Sequence, residues 1–118
     1  MVTTDPAPDE PPPPHDRRRL VLVTGAAGRV GTALRPYLCE RYDLRLHDRV
    51  AAPDPRQGES VVVSDLADYG AVLAATRGVD AVLHLACVHG LELRFDDSVP
   101  TNVTGTINLL ELCRRQGV

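Results

Sequence analysis

The sequence predicts an α/β fold, a partial doubly wound parallel sheet of about four strands with flanking helices. Three observations point there. From residue 20 onward, strand-like apolar runs alternate with helix-like segments. The runs Leu20–Val23 and Val61–Val63 are apolar throughout rather than alternating, the pattern of strands covered on both faces. The first run, Leu20-Val21-Leu22-Val23, ends in Thr24-Gly25-Ala26-Ala27-Gly28-Arg29-Val30-Gly31, where three glycines at three-residue spacing lead straight into a helical segment.

The elements follow in order. Leu20–Val23 is the first strand. Arg29–Arg41 reads as a helix with Val30, Leu34 and Leu38 on one stripe, and Pro36 inside it is expected to kink it. Asp43–His47 is the second strand, Arg49–Ser60 a loop rich in Pro, Asp and Gly, and Val61–Val63 the third strand. Ala67–Thr76 forms a helix closed by Gly78 as a C′ glycine. Asp80–Ala86 is the fourth strand. Asn102–Gln116 is a last helix with Val103, Ile107 and Leu110 on one face, closing at Gly117.

Residues 1–16 stand apart. They hold most of the prolines, including Pro11-Pro12-Pro13-Pro14, and too few apolar residues to bury a core. A disordered leader is expected there, with a polyproline ligand for a partner domain as the alternative. Residues 17–118 then form one incomplete nucleotide-binding domain. Arg17-Arg18-Arg19 reads as a solvated boundary.

Composition excludes several function classes. The net charge of −3 over 118 residues gives no basic surface for nucleic acid. No segment has the length of a membrane span, and the N-terminus lacks the apolar core of a signal peptide. Cys39, Cys87 and Cys113 are scattered without metal-ligand spacing, so no metal site is expected; they read as reduced and buried in a cytoplasmic protein.

The chemistry gathers at strand ends. A strand that stops on a glycine turn and feeds a helix presents free N–H groups and a positive dipole end, which suit a pyrophosphate. The glycines serve the tight turn, close approach of the phosphate, and helix–strand contact. Asp48 ends the second strand, about twenty residues on, where a carboxylate accepts both ribose hydroxyls of an adenosine and repels a 2′-phosphate. That favours NAD over NADP, although Arg49 beside it is able to pair with a 2′-phosphate. Asp65 after the third strand either accepts the exocyclic amine of adenine, with Leu66 against the ring, or caps a helix starting at Ala67. His84-Leu85-Ala86-Cys87 ends the fourth strand at the crevice beside the first, with His84 read as a core residue rather than an acid–base group.

These pieces resemble the extended short-chain dehydrogenase/reductases, the NAD-dependent epimerase/dehydratase group with a Rossmann sheet. Residues 24–31, Asp48, Asp65-Leu66, His84-Leu85-Ala86 and Asn102-Val103-Thr104-Gly105-Thr106-Ile107-Asn108-Leu109-Leu110-Glu111 carry the likeness. The resemblance implies that NAD lies on Gly25, Ala27, Gly28, Arg29, Val30 and Gly31 by its pyrophosphate. It places the adenosine on Asp48, Asp65 and Leu66, and the middle of the cofactor along Leu85, Ala86 and Cys87. Asn102 falls near the nicotinamide side, a helix N-cap being its other reading. Leu44–Arg49 and Phe95-Asp96-Asp97 are somewhat similar to uronate dehydrogenases.

The family's reaction depends on a tyrosine with a lysine four residues later, the ammonium lowering the tyrosine pKa. All thirteen residues counted as Lys or Arg are arginine, so Tyr37, Tyr42 and Tyr69 have no such partner, and arginine does not replace a compact ammonium. No catalytic residue is therefore expected among these 118. The sequence also stops at Gly117-Val118, where a fifth strand is due. The expectation is the cofactor-binding portion of a sugar or sugar-nucleotide epimerase, dehydratase or dehydrogenase, truncated before that strand. Its fourth strand would be an open apolar edge, prone to self-association. The alternatives are a non-catalytic dinucleotide-binding or assembly module, and a non-functional remnant.

Overall fold

Val, Leu and Thr in an unbroken run favour extended backbone, and Leu20–Thr24 forms strand β1 at the centre of the sheet. The computed structural model describes residues 17–118; the expected leader at residues 1–16 lies outside the described residues. After β1 come helix α1 (Arg29–Leu38), β2 (Asp43–Asp48), β3 (Glu59–Val63), α2 (Tyr69–Thr76) and β4 (Ala81–His84). A helical run then begins with α3 (Phe95–Ser98), passes through a π-helical segment (Val99–Gly105) and ends as α4 (Thr106–Gln116).

The four strands are parallel in the order β3-β2-β1-β4. Register pairs Thr24 with His47 on one side and with His84 on the other, so the C-terminal ends of β1, β2 and β4 are level. The chain leaves β1 in one direction for β2 and β3, then crosses to β4 on the opposite side. The crevice between β1 and β4 is the switch point, where open α/β sheets bind ligands.

Side chains alternate between two cores, as strand geometry requires. Leu22 and Leu66 pack with Val72, Ala75, Leu109 and Leu112 under α2 and α4. Val21, Val23, Leu44, Leu46 and Ala52 pack on the other face under α1.

Several expected boundaries move. The last helix begins at Phe95 rather than Asn102, because Asp96 and Asp97 place carboxylates in a first turn that favours them. Asn102 is therefore inside the run and is not its cap. Helix α2 starts at Tyr69, capped by Asp68, whose Oδ1 accepts the Ala71 N–H at 3.1 Å. Asp65 does not cap it; its Oδ1 accepts the Ala67 N–H at 2.9 Å in a turn ahead of the helix. Gly78 takes the left-handed conformation after α2, as expected. Helix α1 ends at Leu38, short of Arg41, with Pro36 in its last turn.

Of the two apolar stripes read from the sequence, the one on the last helix faces outward, and the one on α1 does so except at its end, where Leu38 is half-buried against the core under that helix. On α1 the buried residue is Gly31, whereas Val30 is 57% exposed and Leu34 and Tyr37 are exposed. On the last helix Leu109 and Leu112 are buried, while Ile107 is 60% exposed beside exposed Val103 and Leu110. Four-residue spacing identifies an apolar face but not which of two neighbouring faces meets the sheet. The cysteines also differ from expectation. Cys87 is exposed because it follows the end of β4, and Cys39 and Cys113 are half-buried.

His84 joins three elements. Thr24 Oγ1 accepts the Leu85 and Ala86 N–H groups at 3.1 and 3.3 Å. Its own proton therefore goes to His84 Nδ1, 2.6 Å away. That leaves His84 Nε2 as the protonated nitrogen, donating to Thr106 Oγ1 at 2.9 Å. The ring is half-buried at the edge of the sheet rather than in either core, with both nitrogens engaged as a neutral imidazole.

Burial pushes His84 and His47 below the ordinary histidine value of 6.5. In both, the folded state binds a proton less readily than the unfolded chain, so stability is present above pH 6.5 and declines as pH falls below it. The melting temperature should fall between about pH 7.5 and 5.5, above the range where carboxylates titrate. His84→Asn should flatten part of that fall. A wild-type melting temperature constant over the interval would contradict the neutral tautomer.

Candidate functional site

The glycine turn forms the floor of a cleft at the crevice. Gly25 has φ +68°, a left-handed conformation that glycine adopts without strain. A Cβ there would lie 2.7 Å from the Ala86 nitrogen, so no larger residue fits between the ends of β1 and β4. A Cβ on Gly31 would lie 2.8 Å from the Ala26 Cα, which lets α1 start hard against the turn. Gly28 differs: its backbone is ordinary, and an added Cβ would meet only the Gly25 carbonyl at 3.1 Å. Its other side opens on the cleft.

Gly28 is also the N-cap of α1 and has no side chain to satisfy the first turn. The Thr32 N–H bonds to the Gly28 carbonyl at 2.9 Å. Those of Arg29, Val30 and Gly31 precede it and have no carbonyl within the helix to reach. All three residues line the cleft. Three N–H groups and the positive end of a helix dipole thus converge on one place, a ready anion site.

The cleft has a volume of about 630 Å³, within the range of cofactor sites. Its wall on the β2 and β3 side is His47, Asp48, Arg49, Ser64, Asp65 and Leu66. Its opposite wall is the backbone after β4, from Leu85 through Ala86, Cys87 and Val88 to His89, with Thr101 beyond. Of the residues singled out in the sequence, Gly25, Gly28, Arg29, Val30, Gly31, Asp48, Asp65, Leu66, Leu85, Ala86 and Cys87 come together here.

Asp48 is tied to the turn. Its Oδ2 accepts the Ala27 N–H at 2.9 Å, and its Oδ1 accepts the Arg49 N–H at 2.7 Å. The carboxylate is therefore fixed in orientation, with a further lone pair on each oxygen free for a donor in the cleft. Leu66 is both wall and core, and the absence of a side chain on Gly105 lets the last helix approach it; a Cβ there would lie 2.6 Å from the Leu66 Cβ. Asn108 Nδ2 donates to the Leu66 carbonyl at 2.9 Å and holds the same corner.

Two singled-out residues stand behind the wall. The Ala27 N–H is already taken by Asp48. Asn102 accepts the Val88 N–H through Oδ1 and donates to the Val88 carbonyl through Nδ2, both at 2.8 Å. One side-chain amide thus pairs with the extended backbone after β4 as a neighbouring strand would, and holds that wall in place.

Sequence reasoning missed His47, Ser64, Val88, His89 and Thr101 as wall residues. Position at a strand end was the available signal for His47 and Ser64, which flank Asp48 and Asp65 in sequence. His47 is 1% exposed; its Nε2 lies 2.7 Å from Ser64 Oγ, and its Nδ1 has no partner among the described residues.

Comparison with known proteins agrees with the fold. The family model described as "NAD dependent epimerase/dehydratase family" matches residues 21–118. An NAD-dependent glucose-6-phosphate dehydrogenase of Haloferax volcanii is 38% identical over 103 residues, covering 83% of this chain and 39% of that protein. A uronate dehydrogenase of Pseudomonas syringae pv. tomato is 41% identical over 104 residues, covering 83% and 36%. Among solved structures, a Y136A uronate dehydrogenase from Agrobacterium tumefaciens complexed with NAD superposes with a TM-score of 0.77 at 36% identity, covering 84% of this chain and 37% of that one. The chain thus spans between 36% and 39% of the length of these relatives. With a Rossmann-like sheet, a glycine-turn cleft at its switch point and a family match over almost all of the described residues, the chain belongs to the NAD-dependent epimerase/dehydratase family.

Proposed function

We propose that this chain is the NAD-binding portion of a dehydrogenase or epimerase acting on a sugar or sugar acid, and that these 118 residues bind the dinucleotide without turning over a substrate. The observation that carries the reading is the convergence of the Arg29, Val30 and Gly31 N–H groups beside an oriented Asp48 carboxylate in one cleft. The pyrophosphate lies on the glycine turn, where Gly28 leaves room for it. Asp48 accepts the adenosine ribose hydroxyls, Asp65 the adenine amine, and Leu66 meets the ring. Leu85, Ala86 and Cys87 border the middle of the cofactor. Asn102 acts from behind by holding Val88, and Ala27 by orienting Asp48.

NAD supplies a hydride acceptor at its nicotinamide when bound. The wall residues orient it and shield one side from water. The absence of lysine from the sequence supports the lack of turnover, because the family's tyrosine needs an ammonium nearby. The uronate dehydrogenases among the relatives support a sugar acid as the substrate class of the whole protein. A cytoplasmic setting belongs to the same proposal; among the described residues no helix is long and apolar enough to cross a membrane.

Calorimetric titration tests the cofactor. Heat of binding should appear at or below about 1 mM NAD, and none at that concentration rejects the reading. Gly28→Ala should keep the fold, since its Cβ needs only a slight shift of Gly25, yet weaken NAD by roughly tenfold, about 1.4 kcal/mol.

Asp48→Ala separates two roles. Losing the Ala27 contact loosens the turn for any dinucleotide, whereas losing the ribose contact and the repulsion of a 2′-phosphate touches NAD alone. NAD affinity should therefore fall more than NADP affinity. Equal losses would remove Asp48 from the ribose.

We also infer self-association. Strand β4 is a sheet edge, and exposed Val103, Ile107 and Leu110 lie on the last helix. Sedimentation should show a species larger than the monomer that dissociates on dilution. A monomer at every concentration, with a sharp cooperative melt, contradicts it.

A further inference from the structure

The sheet-facing side of α1 carries a cation where an aliphatic residue is usual. Arg35 follows Gly31 by one turn on that face, with its side chain 11% exposed, and meets Glu59 of β3, 1% exposed. Every guanidinium nitrogen is engaged. Nε donates to both carboxylate oxygens of Glu59 at 3.0 and 3.1 Å. Nη2 donates to Glu59 Oε2 at 2.6 Å and to the Asp54 carbonyl at 2.8 Å. Nη1 donates to the Pro53 carbonyl at 2.6 Å. Glu59 Oε2 also accepts the Arg56 N–H at 2.7 Å. A buried ion pair is tolerated only when its hydrogen-bonding capacity is met in this way.

What the pair holds is the loop between β2 and β3. That loop starts at Arg49 on the cleft wall, and it contains Asp54 at φ +48°, a left-handed conformation costly for a residue with a side chain. The Arg35 contact to the Asp54 carbonyl fixes that conformation. Helix α1 begins at the glycine turn, and β3 leads into Ser64 and Asp65. One guanidinium therefore ties together the helix below the anion site, the loop behind Asp48, and the strand feeding the other wall.

We propose that Arg35 is a positioning residue for the adenosine end of the cleft, acting through Glu59 and the Pro53 and Asp54 carbonyls to hold the 49–58 loop against it. Arg35 does not itself line the cleft. The proposal rests on the cofactor reading given above. It predicts an effect on ligands that carry an adenosine and none on an anion that needs only the glycine turn.

Arg35→Met combined with Glu59→Gln removes both charges at similar volume, so no lone charge is left buried. In the 118-residue chain, amide exchange in the 49–58 loop should quicken. The Kd for NAD should rise roughly tenfold, while the Kd for inorganic pyrophosphate stays within about twofold. Arg35→Lys, unable to reproduce the fork, should show the same split to a smaller degree, and it carries the comparison if the double variant does not fold. A folded variant that binds NAD as the wild type does overturns the proposal and leaves the cofactor reading standing. Equal losses for NAD and pyrophosphate also overturn it, because they make Arg35 a general support of α1. A wild-type chain that binds no NAD overturns the cofactor reading, and this role with it.

Discussion

The approach of β4 to the end of β1 sets the geometry of everything around the cleft. With 2.7 Å between a notional Gly25 Cβ and the Ala86 nitrogen, the two strand ends lie too near for any side chain to stand between them. Thr24 fixes that distance from the side, its hydroxyl serving the Leu85 and Ala86 N–H groups and the His84 ring at once. His84 passes the connection on to Thr106 at the start of α4. The glycine turn and the backbone after β4 are therefore the floor and one wall of a single unit. A site assembled in this way is organised before a ligand arrives, and less affinity is lost to ordering it.

Both walls depend on longer-range ties. Asp48 reaches back to the Ala27 N–H, which couples the end of β2 to the glycine turn. Asn102 reaches out of a helix to stand in for a strand beside Val88. Gly105 lets that same helix press against Leu66. Each of these contacts uses a small or polar residue to bring backbone close to backbone. The two cores supply the cohesion, and these few contacts supply the shape.

Much of this was legible in the sequence where the signal is local. The glycine turn between a strand and a helix, Asp48 at a strand end and the alternation of four strand-like runs with helical segments all rest on neighbours in the chain. Other features depend on what lies across the fold. The stripes Val30–Leu34–Leu38 and Val103–Ile107–Leu110 have helical spacing, but the residues that meet the sheet are Gly31, Arg35 and only Leu38 of the stripe on α1, and Leu109 and Leu112 on α4. A glycine and an arginine carry no apolar signal, so periodicity misplaces most of the buried face. Asn102 resembles a cap in sequence, yet its amide is engaged with Val88 on the far side of a loop. Asp65 and Asp68 are each able to cap a helix, and only the path of the backbone decides that Asp68 does.

If the glycine turn and the strand ends around it form one dinucleotide cradle, NAD must perturb all of them together. Mapping NAD onto the ¹⁵N-labelled chain by NMR tests it residue by residue. The amides of Arg29, Val30 and Gly31 should shift most, joined by those of Arg49, Leu66 and Ala86 on the two walls, while the amides of Ile107 and Leu110, on the solvent-facing side of α4, stay still. Shifts confined to other surfaces, or no shifts at saturating NAD, would contradict the cradle.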